Sequence, residues 1–298
     1  MAEHVMENEF LRVTVADHGA ELVGVYDKET GRERLWCADP AVWNRHAPIL
    51  FPFVGKVKDG VYRHEGKAYE MRSQHGFARD MEFECVKESR DKIIHRLVST
   101  EKTREIYPFD FTLYVTQELD QENPRRLKIS WEIINEGKEK MYYSIGGHPA
   151  FAVPETAEGK RSDYYLSFPG YDELEYILIH PESSLAVPTE RLKLALEQGY
   201  YPIKEDLFDR DALIFEDGQA QEVSIARADH SPSVTLRCQG FPYVGIWSKP
   251  NGNFVCLEPW VGRTDDVDFA GELREKTGEA ELDPGENQMY SYSVEFHK

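Results

Sequence analysis

The chain has 298 residues, of which 41% are hydrophobic and 12% aromatic, and its formal net charge is −19. No segment approaches the roughly 18 consecutive apolar residues of a membrane span, and a strongly acidic chain is a poor partner for nucleic-acid phosphates. We therefore expect neither a membrane nor a nucleic-acid partner. Residues 1–10 lack the basic start and apolar run of a secretory signal, which favours a cytoplasmic location.

Alternation of apolar and polar residues with a period of two predicts strands along most of the chain. In chain order, the clearest segments are 111–119, 127–133, 141–145, 223–225, 234–238 and 290–296. Turn sequences occur along the chain, at Asp59-Gly60, Glu65-Gly66, Asn123-Pro124, Asn135-Glu136-Gly137 and Asn251-Gly252. The pattern predicts an all-β protein, most simply a large antiparallel β-sandwich.

Helical candidates are few and short, at residues 39–44, 188–198 and 206–209. Internal repeats and low-complexity linkers are absent from the sequence, and strand patterns resume on both sides of the proline-rich zone 153–188. We therefore expect a single domain over residues 1–298.

The four cysteines lack the close spacing of a zinc site. A cytosolic setting would keep them reduced, and free cysteine is often buried. We interpret all four as core or strand residues: Cys37, Cys85, Cys238 and Cys256.

His148 lies in the glycine- and proline-containing segment 146–151. A strand pattern ends at two glycines, which allow close approach to a ligand or a neighbouring strand. Pro149 then restricts the backbone of His148. Because imidazole titrates near pH 6.5, His148 is a candidate proton donor or acceptor; a structural histidine at a β-bulge is the alternative.

Glu258 directly follows an apolar strand pattern and precedes Pro259 and Trp260. If its side chain enters a pocket beside the tryptophan, desolvation raises its pKa and makes it a base near neutrality. The alternative is an ordinary surface carboxylate.

The segment 74–79 carries His75 and Arg79 four residues apart. In an irregular loop, both side chains could hydrogen-bond to a ligand with many hydroxyl groups. Arg79 could equally pair with the neighbouring Asp80.

Several aromatic residues near these segments could form flat apolar walls for a sugar ring. We expect most of them to be core residues and prefer Trp247 and Trp260 as ligand contacts. The full set is Trp43, Phe51, Phe53, Phe77, Phe151, Trp247 and Trp260.

Two histidines and a glutamate also have the composition of a facial metal triad. However, His75, His148 and Glu258 are separated by 73 and 110 residues, without the short-range ligand pairs that metal sites commonly use. We therefore expect neither a metal nor another cofactor.

The order of a His-Gly-Phe loop with arginine, a Gly-Gly-His-Pro-Ala-Phe segment and a Leu-Glu-Pro-Trp segment resembles the aldose 1-epimerase (galactose mutarotase) superfamily, in particular its LacX-like branch. The resemblance covers roughly residues 8–296. It implies a galactose mutarotase-like β-supersandwich that interconverts the α and β anomers of an aldose without a cofactor.

The resemblance also implies residue roles. His148 would be the general acid at the ring oxygen, and Glu258 would be the base at the C1 hydroxyl. His75 would hold the substrate, Asp211 would accept a sugar hydroxyl, and Arg79 would lie beside the pocket.

One departure from the superfamily concerns Lys56, also expected beside the pocket, where relatives commonly carry arginine. Lysine lacks the bidentate fork of arginine, so the sugar stays open. The alternatives are a hexose-6-phosphate 1-epimerase, with Lys56, Arg79 and Arg45 near a phosphate, and a sugar-binding or sensing protein without turnover. We expect a monomer or homodimer.

Overall fold

The computed structural model describes residues 2–298, and strands account for 47% of the chain against 6% for helices. The strands of the first half are β1 (Glu3–Glu7), β2 (Leu11–Ala16), β3 (Leu22–Asp27), β4 (Arg32–Glu33), β5 (Ile49–Leu50), β6 (Val61–His64), β7 (Lys67–Glu70), β8 (Glu84–Glu88), β9 (Lys92–Val98), β10 (Phe111–Leu119), β11 (Arg126–Asn135), β12 (Met141–Tyr143) and β13 (Ile145–Gly147). Those of the second half are β14 (Ala150–Ala152), β15 (Tyr165–Ser167), β16 (Glu173–Ile179), β17 (Ala186–Ala195), β18 (Tyr200–Pro202), β19 (Leu213–Phe215), β20 (Glu222–Ala226), β21 (Pro232–Arg237), β22 (Tyr243–Trp247), β23 (Phe254–Val261), β24 (Ala280–Leu282) and β25 (Asn287–Phe296).

Helical structure consists of α1 (Glu101–Ile106) and short 3₁₀ turns at Lys58–Gly60, Ala78–Asp80, Arg161–Asp163 and Leu273–Glu275. The α1 helix begins at Thr100, whose hydroxyl accepts a hydrogen bond from the Thr103 N–H at 3.2 Å. Within residues 2–298, no helix is long and apolar enough to cross a membrane.

Two large antiparallel sheets dominate the fold. The nine-stranded sheet has the order β18-β15-β20-β21-β25-β11-β10-β9-β8, and the other has the order β17-β16-β19-β22-β23-β13-β5. Alternate residues of β10 and β11 are buried, and they join side chains of the second sheet, such as Ile145 and Leu257, in one apolar cluster. The predicted all-β antiparallel sandwich is confirmed.

Residues 188–198 do not form the predicted helix, because most of this segment belongs to β17 at the edge of its sheet. A proline is tolerated there, since an edge strand does not need every N–H in a ladder. Cross-strand ion pairs also hold the segment extended: Lys193 meets Glu173 at 2.6 Å, and Arg191 meets Glu175 at 3.1 Å.

The other two helical candidates, residues 39–44 and 206–209, contain hydrogen-bonded turns instead of helices. The interpretation of the cysteines is wrong for Cys37, which is exposed in a loop. Cys238 and Cys256 are buried, and Cys85 is partly buried on β8.

Candidate active site

An interruption in the second sheet brings His148 opposite Glu258. β13 pairs Gly146 with Trp260, and β14 pairs Ala150 with Cys256, so both short strands have the same register on β23. His148 lies between them and therefore stands across from Glu258. Its Nε2 atom is 3.3 Å from Glu258 Oε2.

Glu258 lies inside β23 instead of after a strand, which corrects the sequence-based expectation. Every residue of β23 is buried, so the strand has no apolar–polar alternation that would mark its end. The Leu257 N–H donates to the Pro149 carbonyl across the interruption. Alternate N–H groups of a strand point to the same side. An N–H at position 259 would therefore point to the same side as that of Leu257, where the pairing is interrupted, and proline is tolerated there.

Aromatic rings enclose the imidazole of His148. Trp43 stacks on it with ring centroids 4.9 Å apart and an interplanar angle of 30°. Trp247 meets its edge at 5.5 Å, and His75 does so at 5.6 Å. These contacts fix the ring plane while its Nε2 atom faces the carboxyl group.

Burial moves the two pKa values of the facing pair in opposite directions. Desolvation raises the pKa of Glu258 well above its usual value, and the nearby Asp211 charge raises it further. Desolvation, together with the nearby Arg79 charge, lowers the pKa of His148 to about 3. The empty site therefore favours a protonated carboxyl group beside a neutral imidazole.

His75 is held as a neutral hydrogen-bond donor. Its backbone is left-handed, with φ +67°, and its Nδ1 atom accepts a hydrogen bond from the Gly55 N–H at 3.0 Å. Burial lowers its pKa well below the usual value. A neutral ring with Nδ1 as acceptor carries its proton on Nε2.

Two arginines share one carboxylate at the edge of the cavity. Arg45 Nη2 donates to Asp80 Oδ1 at 2.6 Å, and Arg79 Nε lies 3.8 Å from the other oxygen of Asp80. Arg79 Nη2 donates to the Gln74 carbonyl, whereas its buried Nε has no hydrogen-bond partner. Burial and the Arg45 charge lower the Arg79 pKa to about 10.

Asp211 faces the same cavity from a left-handed position, with φ +69°, just before β19. Its Oδ1 accepts a hydrogen bond from the Ala212 N–H at 2.8 Å. Burial raises its pKa, against the opposite effects of that hydrogen bond and of the Lys249 charge.

Trp260 lies flat against two strands because both carry glycine beneath it. A Cβ atom at Gly245 of β22 would approach the indole to 2.3 Å, and one at Gly146 of β13 would approach it to 2.5 Å. The buried indole N–H has no hydrogen-bond partner in the protein. Glycine at these positions thus leaves room for a broad aromatic wall.

All these side chains surround one cavity of about 420 Å³, a volume typical of small-molecule sites. It is lined by Trp43, Asn44, Arg45, Val54, Gly55, Gln74, His75, Arg79, His148, Ile179, Ser184, Asp211, Ala212, Ile214, Trp247, Lys249, Glu258, Trp260 and Thr264. Seven of the eight residues expected from the sequence are among them, and the eighth is Lys56.

Lys56 lies outside this lining, in a neighbouring cavity with Asp59 and Arg72. Its backbone instead holds Thr264, a residue that does line the site. The Lys56 N–H donates to Thr264 Oγ1 at 3.0 Å, and the Lys56 carbonyl accepts a hydrogen bond from that hydroxyl at 3.1 Å.

Two lining residues, Trp43 and Lys249, are not singled out from the sequence. Trp43 is one of the seven possible aromatic walls, without preference as a ligand contact, yet it covers His148. Its loop is fixed by a hydrogen bond from the Trp36 indole N–H to the Trp43 carbonyl at 2.8 Å. Lys249 follows β22 just before the predicted turn at Asn251-Gly252, and that turn was the available signal.

The potential metal ligands at this site differ from the triad considered from the sequence. His148, Cys256 and Glu258 offer ligand atoms within 4.8 Å of one another. The Nδ1 atom of His75 already accepts a hydrogen bond from the Gly55 N–H. Burial raises the pKa values of both Cys256 and Glu258. Both groups would have to lose a proton before they could bind a metal.

The fold and site define a β-sandwich protein with a buried imidazole–carboxyl pair in a small-molecule cavity. The model of the aldose 1-epimerase family matches residues 3–279, and the chain belongs to this family of sugar epimerases.

Relatives and solved structures agree with this assignment. Chromosomal and plasmid LacX proteins of Lactococcus lactis are each 28% identical over 295 residues, covering 97% of both chains. A galactose mutarotase related enzyme from Lactobacillus acidophilus has a TM-score of 0.92 and 33% identity, covering 100% of this chain and 98% of its own. A galactose mutarotase-like protein from Lactobacillus casei has a TM-score of 0.88 and 30% identity, covering 99% and 100%.

Proposed function

We propose that the protein is a cofactor-independent aldose 1-epimerase that interconverts the α and β anomers of a hexose. The main support is the buried approach of His148 Nε2 to Glu258 Oε2 at 3.3 Å within the cavity. Anomer exchange requires a proton to be given at the ring oxygen and another to be removed at the C1 hydroxyl. Imidazole and carboxyl groups perform both tasks.

In the proposed reaction, the Glu258 proton first moves to His148, which gives a carboxylate and an imidazolium. Glu258 then removes the proton of the C1 hydroxyl while His148 protonates the ring oxygen. The bond between C1 and the ring oxygen breaks, and a C1 aldehyde forms. Rotation about the C1–C2 bond and the reverse proton transfers close the other anomer.

Ring opening returns the pair to a protonated Glu258 and a neutral His148. This is the protonation state that the pKa shifts favour in the empty cavity. The resting site is therefore matched to the ring-open aldehyde, the species through which both anomers must pass.

We assign substrate holding to the surrounding side chains. The Nε2–H of His75 and the guanidinium of Arg79 are donors for sugar oxygens, and Asp211 is an acceptor. Trp247 and Trp260 supply flat apolar faces for the carbon–hydrogen side of the ring.

The test is the anomerisation of freshly dissolved α-D-glucose and α-D-galactose, followed by polarimetry or NMR. We expect His148→Ala and Glu258→Gln each to lower kcat by at least about 10²-fold, since each removes one proton-transfer group. Glu105→Gln, at an exposed position of α1, is the matched control and should keep full activity.

If His148→Ala and Glu258→Gln both kept the activity of wild type, the proposed roles of these two residues would be contradicted. If wild type binds hexoses but accelerates anomerisation of no free or phosphorylated aldose, the protein is a sugar-binding or sensing protein instead.

A hexose 6-phosphate is the second candidate substrate, favoured by the Arg45–Asp80–Arg79 arrangement and by Lys249 in the cavity lining. In this case, Arg79→Met should lower kcat/KM for the phosphorylated sugar about 10- to 100-fold more than for the free sugar, because a charge-assisted hydrogen bond is lost. Arg104→Met, on α1, is the control.

Equal losses for the two sugars in Arg79→Met would exclude phosphate recognition by this arginine. Competition between glucose and glucose 6-phosphate in wild type gives the preference directly.

A further inference from the structure

Three potential metal ligands lie close together in space, at positions distant in sequence from His148 and Glu258. His4 lies on β1, Cys85 on β8 and His95 on β9. One ligand atom from each lies within 4.8 Å of the other two. Cys85 and His95 are direct cross-strand partners, so their side chains lie on the same face of the nine-stranded sheet.

Carboxylates already orient both imidazoles. Asp17 Oδ1 is 2.9 Å from His4 Nε2 and 3.1 Å from His95 Nε2. Glu88 Oε2 is 2.9 Å from His4 Nδ1. The Asp17 carboxylate on Nε2 of His95 fixes that ring and makes its Nδ1 a better metal ligand. Because both nitrogens of His4 face carboxylates, a metal ion would replace one of these two contacts.

His95 is the residue that points to a ligand. Its side chain is 0% exposed, and its buried Nδ1 atom has no hydrogen-bond partner. Such an atom costs stability when it is left unpaired. Because Nε2 is held by Asp17, Nδ1 is the nitrogen available to a metal ion.

We propose that His4, Cys85 and His95 form a zinc site that joins the first sheet to the edge of the nine-stranded sheet. Two imidazoles and one thiolate are a ligand set that Zn²⁺ prefers, with a carboxylate or water as the fourth ligand. Glu88 and Asp17 contact the imidazoles but do not belong to the cluster, so either carboxylate has to move toward the ion to become that ligand. On binding, the Cys85 thiol releases its proton to solvent and its sulfur bonds to Zn²⁺.

The distances are compatible with this site. Zinc–sulfur and zinc–nitrogen bonds of about 2.3 and 2.1 Å place ligand atoms about 3.5 Å apart in a tetrahedron. The three protein atoms, all within 4.8 Å, therefore need shifts of about 1 Å to close on the ion.

The test uses the full-length, metal-free protein and Co²⁺ as a spectroscopic probe. We expect one equivalent to bind, with visible bands of a tetrahedral ion and a near-ultraviolet thiolate charge-transfer band, and Zn²⁺ to displace it. Cys85→Ser should lose the charge-transfer band. His95→Gln should weaken binding at least about 100-fold, the upper end of the loss measured when an outer partner alone is removed.

Two controls locate the ion. Cys37→Ser, at the exposed cysteine, and His148→Ala, in the catalytic cavity, should both keep the cobalt spectrum. Loss of the spectrum in His148→Ala with retention in Cys85→Ser would assign the metal to the catalytic cavity and overturn the proposal.

Failure of wild type to bind Co²⁺ or Zn²⁺ would also overturn it and leave the cluster as hydrogen-bonded histidines. Should His95→Gln fail to fold, His4→Gln at the partly exposed position gives the same test. Zn²⁺ should raise the melting temperature of wild type but not of Cys85→Ser.

Discussion

Glu279 is a buried carboxyl group whose surroundings make it sensitive to pH. Its side chain is 1% exposed and accepts a hydrogen bond from the Ser144 hydroxyl at 2.6 Å. Lys276 Nζ is 3.6 Å away. Burial outweighs both partners and raises the Glu279 pKa to about 7 from its usual 4.5.

The raised pKa of Glu279 predicts a pH-dependent change in the free energy of unfolding, which Glu279→Gln should abolish. The folded protein holds the proton more tightly than the unfolded chain, so the stabilisation is complete below pH 4.5 and is lost as pH rises through 7. Relative to Glu279→Gln, the unfolding free energy of wild type should fall by about 3 kcal/mol between pH 4.5 and 8. Urea unfolding at several pH values measures this difference.

Glu281→Gln is the matched control, because Glu281 lies two residues further on, with an exposed side chain that pairs with Lys140. It should leave the pH dependence unchanged. A Glu279→Gln profile parallel to wild type would show that Glu279 titrates at its usual pH.

The position of Trp260 depends on the strands beneath it. Gly245→Ala would put a Cβ atom 2.3 Å from the indole, so the ring must move into the cavity or the strands must separate. We expect a loss of about 1–3 kcal/mol of stability, the usual range for overpacking. A raised KM for the sugar should accompany it, measured by anomerisation kinetics.

Gly24→Ala on β3 is the control for the same substitution in a strand. The nearest atom to its Cβ would be the carboxylate end of Glu33, at 3.3 Å. An unchanged KM in Gly245→Ala would contradict the role of Trp260 as a wall of the site.

The sequence predicts those strands that have one buried face and one partly exposed face. β10 and β11 alternate buried and partly exposed residues over long segments, and the Glu65-Gly66 turn joins β6 to β7 with positive φ at both residues. β23 is buried along its whole length and carries no such pattern. Pro188 of β17 favours a helix start and Pro259 of β23 favours a strand end, because sequence alone does not say which backbone donors a sheet uses.

The candidate site is predictable in its residues but not in its geometry. Glycine and proline around His148 and Glu258 mark unusual backbone, and His75, Asp211 and the tryptophans follow from the resemblance. The 3.3 Å approach of the pair depends on the pairing of β13, β14 and β23. Lys56, expected beside the pocket, lines a neighbouring cavity and hydrogen-bonds through its backbone to Thr264 of the site.

We propose that residues 1–298 form a single domain. One buried apolar cluster includes residues from Met6 to Phe296 and draws on both large sheets. We therefore expect urea unfolding followed by tryptophan fluorescence to coincide with unfolding followed by circular dichroism. Two separate transitions would contradict the proposal.

The proton-transfer pair and the residues that surround the sugar belong to different parts of the fold. His148 and Glu258 are fixed by the hydrogen-bonding register of a sheet, whereas Arg45, Asp211 and Lys249 enter the cavity from turns and loops. Loops tolerate replacement far better than central strands, while a one-residue slip of β23 would turn Glu258 to the opposite face. Exchanging the loops is therefore a route to new sugar preferences that leaves the proton-transfer pair in place.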